Sequence, residues 1–260
     1  MRLGRIWFLF YLTLPICIIF RFLQLYFTID AKTGFYHSYT IGYGRAFLCL
    51  ILLCALSVGL FSNLSFKRPE SLPQKNTLTS VFSMVLGAIV LAERFLFSSD
   101  YSVLPWQLLI FNVFSLLFSF YLFALAFSKF FNFELSSLFS VIPTFYLISR
   151  VICDFTTISK LALISDNIIL IAIYCLAMLF FLYYAKLYIG IDDDKCFKNI
   201  LSFGLSSVIL CFAFSVPNIV ISISKIGAYP HISLMGNLFV FALGLFILSF
   251  TSHYFSKKNI

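Results

Sequence analysis

The chain has 260 residues, 62% of them hydrophobic and 11% charged, a net charge of +8 and a mean hydropathy of +1.02. These values exclude an ordinary soluble globular domain and point to an integral membrane protein. At about 20 residues per helical span, the chain holds about eight spans and short loops, which leaves no length for a soluble kinase, ATPase or DNA-binding domain.

The first segment, MRLGRIWFLFYLTLPICIIF, imitates a signal peptide, with Arg2 and Arg5 ahead of an apolar run. It lacks a small-x-small cleavage site and the run continues to Ile29, so it reads as a retained first helix. Hydropathy then places spans near 5–28, 41–62, 77–98, 105–127, 135–156, 164–189, 198–224 and 232–253. The expected fold is an all-α integral membrane protein, a bundle of about eight transmembrane helices in one domain over 1–260, with seven spans as the alternative count. Short alternating strands of a β-barrel are absent from the pattern.

Lysine and arginine set the expected orientation. With a cytoplasmic N-terminus, eleven of the eighteen cations fall in inner segments and only Lys32, Lys160 and Lys225 in outer loops, as the positive-inside trend requires. Both termini are then cytoplasmic. The remaining four cations, Arg21, Arg45, Arg94 and Arg150, all fall in the outer halves of spans. The acids Glu93, Asp154 and Asp166 occupy similar levels, and Asp30 lies in the first outer loop.

An arginine at the centre of a span costs about 2.5–3.5 kcal/mol on insertion scales, so each of the four needs lipid phosphate, a partner or water. Arg45 and Arg94, close to span ends, suit snorkelling to the interface. Arg21 and Arg150 lie deeper and suit a paired or ligand-facing role. Arg21 and Gln24 share a face at i and i+3, and Arg150 and Asp154 at i and i+4, within reach of an intrahelical bridge. Glu93 and Arg94 point about 100° apart, which suits linking two neighbouring helices. An outer vestibule built from these groups, with Tyr43, Asn167, Asn218 and His231 nearby, is the sharpest site expected.

Pro15, Pro143 and Pro217 fall inside spans one, five and seven, where proline frees a carbonyl and kinks a helix. Pro217 and Asn218 together mark a broken-helix candidate. PICIIFR in span one and PTFYLISR in span five suggest a parallel 4+4 repeat of 1–130 and 131–260, although identity between the halves is slight. Polar stripes at Asn112, Ser115 and Ser119, at Asn199, Ser202 and Ser206, and at Ser233, Gly236, Asn237 and Gly244 read as contacts between helices.

Cys17, Cys49, Cys54, Cys153, Cys175, Cys196 and Cys211 form no CxxC and no Cys/His metal spacing, so neither metal nor cofactor is expected. The three histidines are far apart, and no HExxH, GxSxG or P-loop occurs. The run Asp192 to Asp194 reads as a solvated inner loop. Thirty-five phenylalanines suit a lipid-facing surface, and the positive charge follows from insertion, so no nucleic-acid partner is implied.

Arg21, Gln24, Asp30, Thr33, Gly34, Phe35 and Tyr36 form R-x-x-Q followed by D-x-x-T-G-F-Y. This stretch resembles the first helix and outer loop of small multi-span proteins from low-GC Gram-positive bacteria, a functionally uncharacterised family. The resemblance covers about sixteen residues and implies a bacterial inner membrane without an activity. On physical grounds Asp30 to Gly34 suit a loop-closing turn.

Two functions fit this pattern. The first is an outward-facing pocket in which Arg21, Gln24, Asp30, Arg45, Glu93, Arg94, Arg150, Asp154, Asp166 and Asn218 hold a small anionic ligand or lipid headgroup for binding or transport. The second is a non-catalytic subunit or sensor whose buried charges are structural and whose loops dock a cytoplasmic or membrane partner protein. A membrane-embedded enzyme using converging carboxylates is a third, with no spacing on one helix to demand it.

Overall fold

The computed structural model describes residues 2–29, 36–64, 76–95, 105–131, 135–158, 165–190, 194–224 and 234–254. They form α1 (Arg2–Thr28), α2 (Ile41–Leu64), α3 (Thr77–Phe95), α4 (Pro105–Phe130), a 3-10 turn (Ser137–Val141) leading into α5 (Ile142–Ile158), α6 (Ser165–Tyr188), α7 (Asp194–Ser224) and α8 (Leu234–Tyr254). All eight spans are long and apolar enough to cross a membrane, the fifth only together with the 3-10 turn. The protein is a polytopic, all-α membrane protein, with eight spans among the described residues.

Side-chain contacts fix the relative directions of the helices. Ser202 and Ser206 of α7 donate to the Gly59 and Ala55 carbonyls of α2, each at 2.8 Å, so these helices run antiparallel. Phe118 meets Phe181 and Tyr121 meets Tyr184, so α4 and α6 run parallel. Tyr174 against Phe239 and Phe181 against Phe246 make α6 and α8 parallel. The spans therefore alternate up and down, and α1 starts at the same end at which α8 finishes. The opposite end is called distal below.

Helices α3 to α8 close a ring in which each packs against the next, and α3 returns to α8. Phe118, Tyr146, Phe181, Phe239 and Phe246 touch one another across that ring. Its middle is thus a packed aromatic core at these levels. α1 and α2 lie outside the ring against α7, which also contacts α6 and α8. The most apolar window of α7 is 89% buried and that of α1 only 22%, so α7 is the axis of the bundle and α1 a peripheral helix.

Small residues let α7 hold this position. A Cβ on Gly59 would lie 2.3 Å from Ser206 Oγ and 3.1 Å from the Ser202 carbonyl, and one on Gly244 would lie 2.9 Å from Cys211 Cβ. Glycine at these two sites brings α2 and α8 against α7, as small residues do between helices in lipid. The stripe expected at Ser202 and Ser206 is thus a hydrogen-bonded seam.

Two expectations about prolines meet different outcomes. Pro15 and Pro217 lie inside α1 and α7. Pro143 is instead the second residue of α5, at its junction with the 3-10 turn. A first-turn proline gives up no helical hydrogen bond because the N–H there has no intrahelical partner, so Pro143 starts α5 rather than kinking it. Asp194 likewise opens α7, while Asp192 and Asp193 lie outside the described residues.

Candidate functional site

The distal half carries two charge clusters, each spread over several helices. The first begins on α1, where the i, i+3 spacing puts Arg21 and Gln24 on one face. Arg21 is fully buried; one terminal nitrogen bonds Asp166 at the start of α6, and the other donates to Gln24 Oε1 at 2.5 Å. The guanidinium carbon also lies 5.9 Å from the centre of the Phe214 ring on α7. The first helix therefore meets α6 and α7, more than 130 residues on, at one cation.

Gln24 extends the cluster to α2. Its Nε2 donates to the Gly44 carbonyl and to the Tyr36 hydroxyl, each at 2.8 Å. The chain returns from α1 through a bridge between Ile29 and Tyr36 and a bond from His37 N to the Thr28 carbonyl at 3.0 Å. Tyr36 then lies across the start of α2. A Cβ on Gly44 would stand 2.1 Å from the Tyr36 ring, so glycine is needed there for the ring to seat. Asp30, with Thr33 to Phe35, lies outside the described residues.

The second cluster is centred on Arg150. Both terminal nitrogens bond Glu93 of α3, at 2.6 and 2.9 Å, which is the bidentate geometry that makes arginine–carboxylate pairs strong. The same guanidinium donates to the Tyr146 hydroxyl at 2.7 Å and, through Nε, to the Tyr174 hydroxyl at 3.1 Å. Asp154, the expected i+4 partner, is at 4.0 Å from Nε. Beneath the guanidinium is the Phe239 ring of α8, with its centre 4.1 Å away. Arg150 thus ties α3, α5, α6 and α8, with the bidentate bond going to Glu93 rather than to Asp154.

Glu93 and Arg94 join different neighbours, as their angular offset implies. Glu93 reaches α5, whereas Arg94 donates through Nε to Asn112 of α4 and stacks 4.8 Å from the Phe111 ring centre. Arg45 and Tyr43 are exposed on α2. Asn218 is buried on α7, one turn beyond Phe214, and Asn167 is partly buried next to Asp166. His231 lies outside the described residues. The carboxylates separate into two groups, Glu93 and Asp154 about Arg150, and Asp166 about Arg21. A cavity of about 160 Å³ between α4 and α5, lined by Trp106, Gln107, Ile110, Phe114 and Phe145 among others, has no charged side chain in its wall.

The two clusters differ in how completely their cations are satisfied. Every nitrogen of Arg150 has a partner. Arg21 Nε is buried with no hydrogen-bond partner, as are both amide atoms of Asn237 on α8. A buried donor or acceptor left unmade costs about 1–3 kcal/mol, so Arg21 Nε and Asn237 Nδ2 mark where an acceptor belongs and Asn237 Oδ1 where a donor does. Tyr36, Tyr146, Tyr174 and Phe239 were not singled out as site residues from the sequence. Only Tyr146, four residues before Arg150, and Tyr36, inside the D-x-x-T-G-F-Y stretch, carry a local signal. Among the described residues no group of His, Cys, Asp and Glu has the arrangement of a metal site. No family model, curated protein or solved structure matches the chain.

Proposed function

We propose that the protein is a membrane-embedded binding or transport protein that takes a small anionic ligand at the Arg21 cluster. The observation that carries this reading is a fully buried guanidinium with one edge unpartnered. Ionisable groups inside membrane spans are costly and commonly line ligand or ion pathways. The Arg150–Glu93 pair has the opposite character, because its nitrogens are all engaged and five aromatic or charged groups enclose it. It is the structural one of the two clusters, a latch joining α3, α5, α6 and α8.

Charge balance shapes the binding step. Arg21 and Asp166 are together neutral, so an arriving anion competes with Asp166 for the guanidinium and brings net negative charge into the bundle. A cation or proton entering with the anion offsets that charge. The positive-inside pattern supports the distal end as the outer face, and the resemblance over Arg21 to Tyr36 implies a bacterial cytoplasmic membrane. The carboxylate chemistry is shared by free acids and lipid headgroups, and phosphate is common to free phosphate and phospholipids.

The test is thermal stabilisation of the purified protein by succinate, inorganic phosphate and phosphatidylglycerol vesicles. It compares wild type with the charge-neutral pair Arg21→Gln/Asp166→Asn, chosen so that no lone buried charge unfolds the protein. A soluble anion that stabilises only wild type supports the reading, and vesicles acting alone assign the site to a lipid headgroup. Equal stabilisation of both proteins, or none of wild type by any probe, refutes it.

A further inference from the structure

Asn237 is 0% exposed, and neither its Oδ1 nor its Nδ2 has a hydrogen-bond partner. Its place in the bundle follows from helix geometry. Gly244 of α8 faces Cys211 of α7, and Phe241 meets Phe212 with ring centres 5.3 Å apart. Seven residues are nearly two full turns, so Asn237 shares the α7-facing side of α8 with Gly244, and Asn218 shares the α8-facing side of α7 with Cys211. Because α7 and α8 run antiparallel, Asn237 and Asn218 fall at one level, on facing sides of the seam. Asn218 is also one turn beyond Phe214, the ring under Arg21. Successive turns of α7 therefore connect the ring under Arg21 to Asn218, and Asn237 faces Asn218 from α8.

We propose that Asn237 and Asn218 form the second half of the Arg21 site and bind a carboxamide, so that the ligand is a small carboxylic acid bearing an amide group. This rests on the reading of Arg21 given above. The chemistry selects the class: an unpartnered Oδ1 needs a donor and an unpartnered Nδ2 needs an acceptor, and a primary amide presents both side by side. A plain monocarboxylate or inorganic phosphate satisfies Arg21 but leaves the asparagine amide unmade. A ketone in place of the amide offers an acceptor only.

The experiment compares succinamate with 4-oxopentanoate, the same acid with a methyl group in place of the amide nitrogen. Binding is measured by calorimetry in detergent on wild type, Asn237→Leu and Asn218→Leu. Wild type is expected to prefer succinamate by about tenfold, the worth of one additional buried hydrogen bond. In either variant the preference disappears while 4-oxopentanoate still binds through Arg21. The wild-type comparison stands on its own should a variant fail to fold. Equal affinity of wild type for the two acids overturns the amide site and leaves Arg21 as an anion site. A preference that survives both substitutions overturns it too, as does an Asn237→Leu protein that gains stability with its preference intact, the behaviour of an asparagine that only holds internal water. If neither acid binds wild type, the Arg21 reading falls first.

Discussion

At the scale of single residues, the four arginines of the distal half have four different environments. Arg150 is enclosed by Glu93, Tyr146, Tyr174 and Phe239, and removing one partner of a buried pair leaves the other charge uncompensated. Arg150→Ala is therefore expected to destabilise the protein by about 3 kcal/mol, whereas Arg45→Ala, at an exposed position, leaves the unfolding midpoint in place. Denaturant or thermal unfolding in detergent reads both. Glu93→Ala leaves the Arg150 guanidinium without its bidentate partner and should also destabilise, and the double substitution should cost less than the sum of the two singles, because both lose the same ion pair. Asp166→Asn removes the charge that competes for Arg21 but keeps an acceptor beside it. That variant should be less stable than wild type when empty and more strongly stabilised by an anion.

Among elements, α7 depends on small residues for its central place. Ser202→Ala and Ser206→Ala should each cost about 0.6 kcal/mol, the average for such hydrogen bonds between membrane helices. Gly59→Leu should cost far more, since even a Cβ there meets Ser206 Oγ at 2.3 Å and α2 must move off α7. Unfolding measurements on the three variants check the ranking; a Gly59→Leu protein as stable as wild type would contradict the seam. The Ser202 and Ser206 stripe was legible because its period is that of a helix face, as was the opposite reach of Glu93 and Arg94. The choice of Glu93 over Asp154 as the bidentate partner of Arg150 was not, because it is made by the approach of α3 to α5 across 57 residues. Nor was the Arg21–Asp166 pair, which spans 145 residues and depends on α1 lying against α7 beside α6. Pro143 was legible as a helix-altering residue but not as a helix start, since the 3-10 turn before it has no sequence signal of comparable strength.

For the whole molecule, hydropathy alone was enough to count the spans, because a bilayer demands about 20 apolar residues per crossing. Orientation rests on the asymmetry of lysine and arginine, and a reporter fused after Ile260 is expected to be active on the cytoplasmic side; activity outside would put the two charge clusters near the inner face. On the proposed reading the distal charges divide into a latch at Arg150 and a site at Arg21, so the two should respond differently to ligand. The most direct measurement is the stabilisation of wild type, Asp166→Asn and Arg21→Gln/Asp166→Asn by succinate and succinamate. The account predicts stabilisation of wild type, a larger effect in Asp166→Asn and none in the double variant; the same response in all three proteins would contradict it.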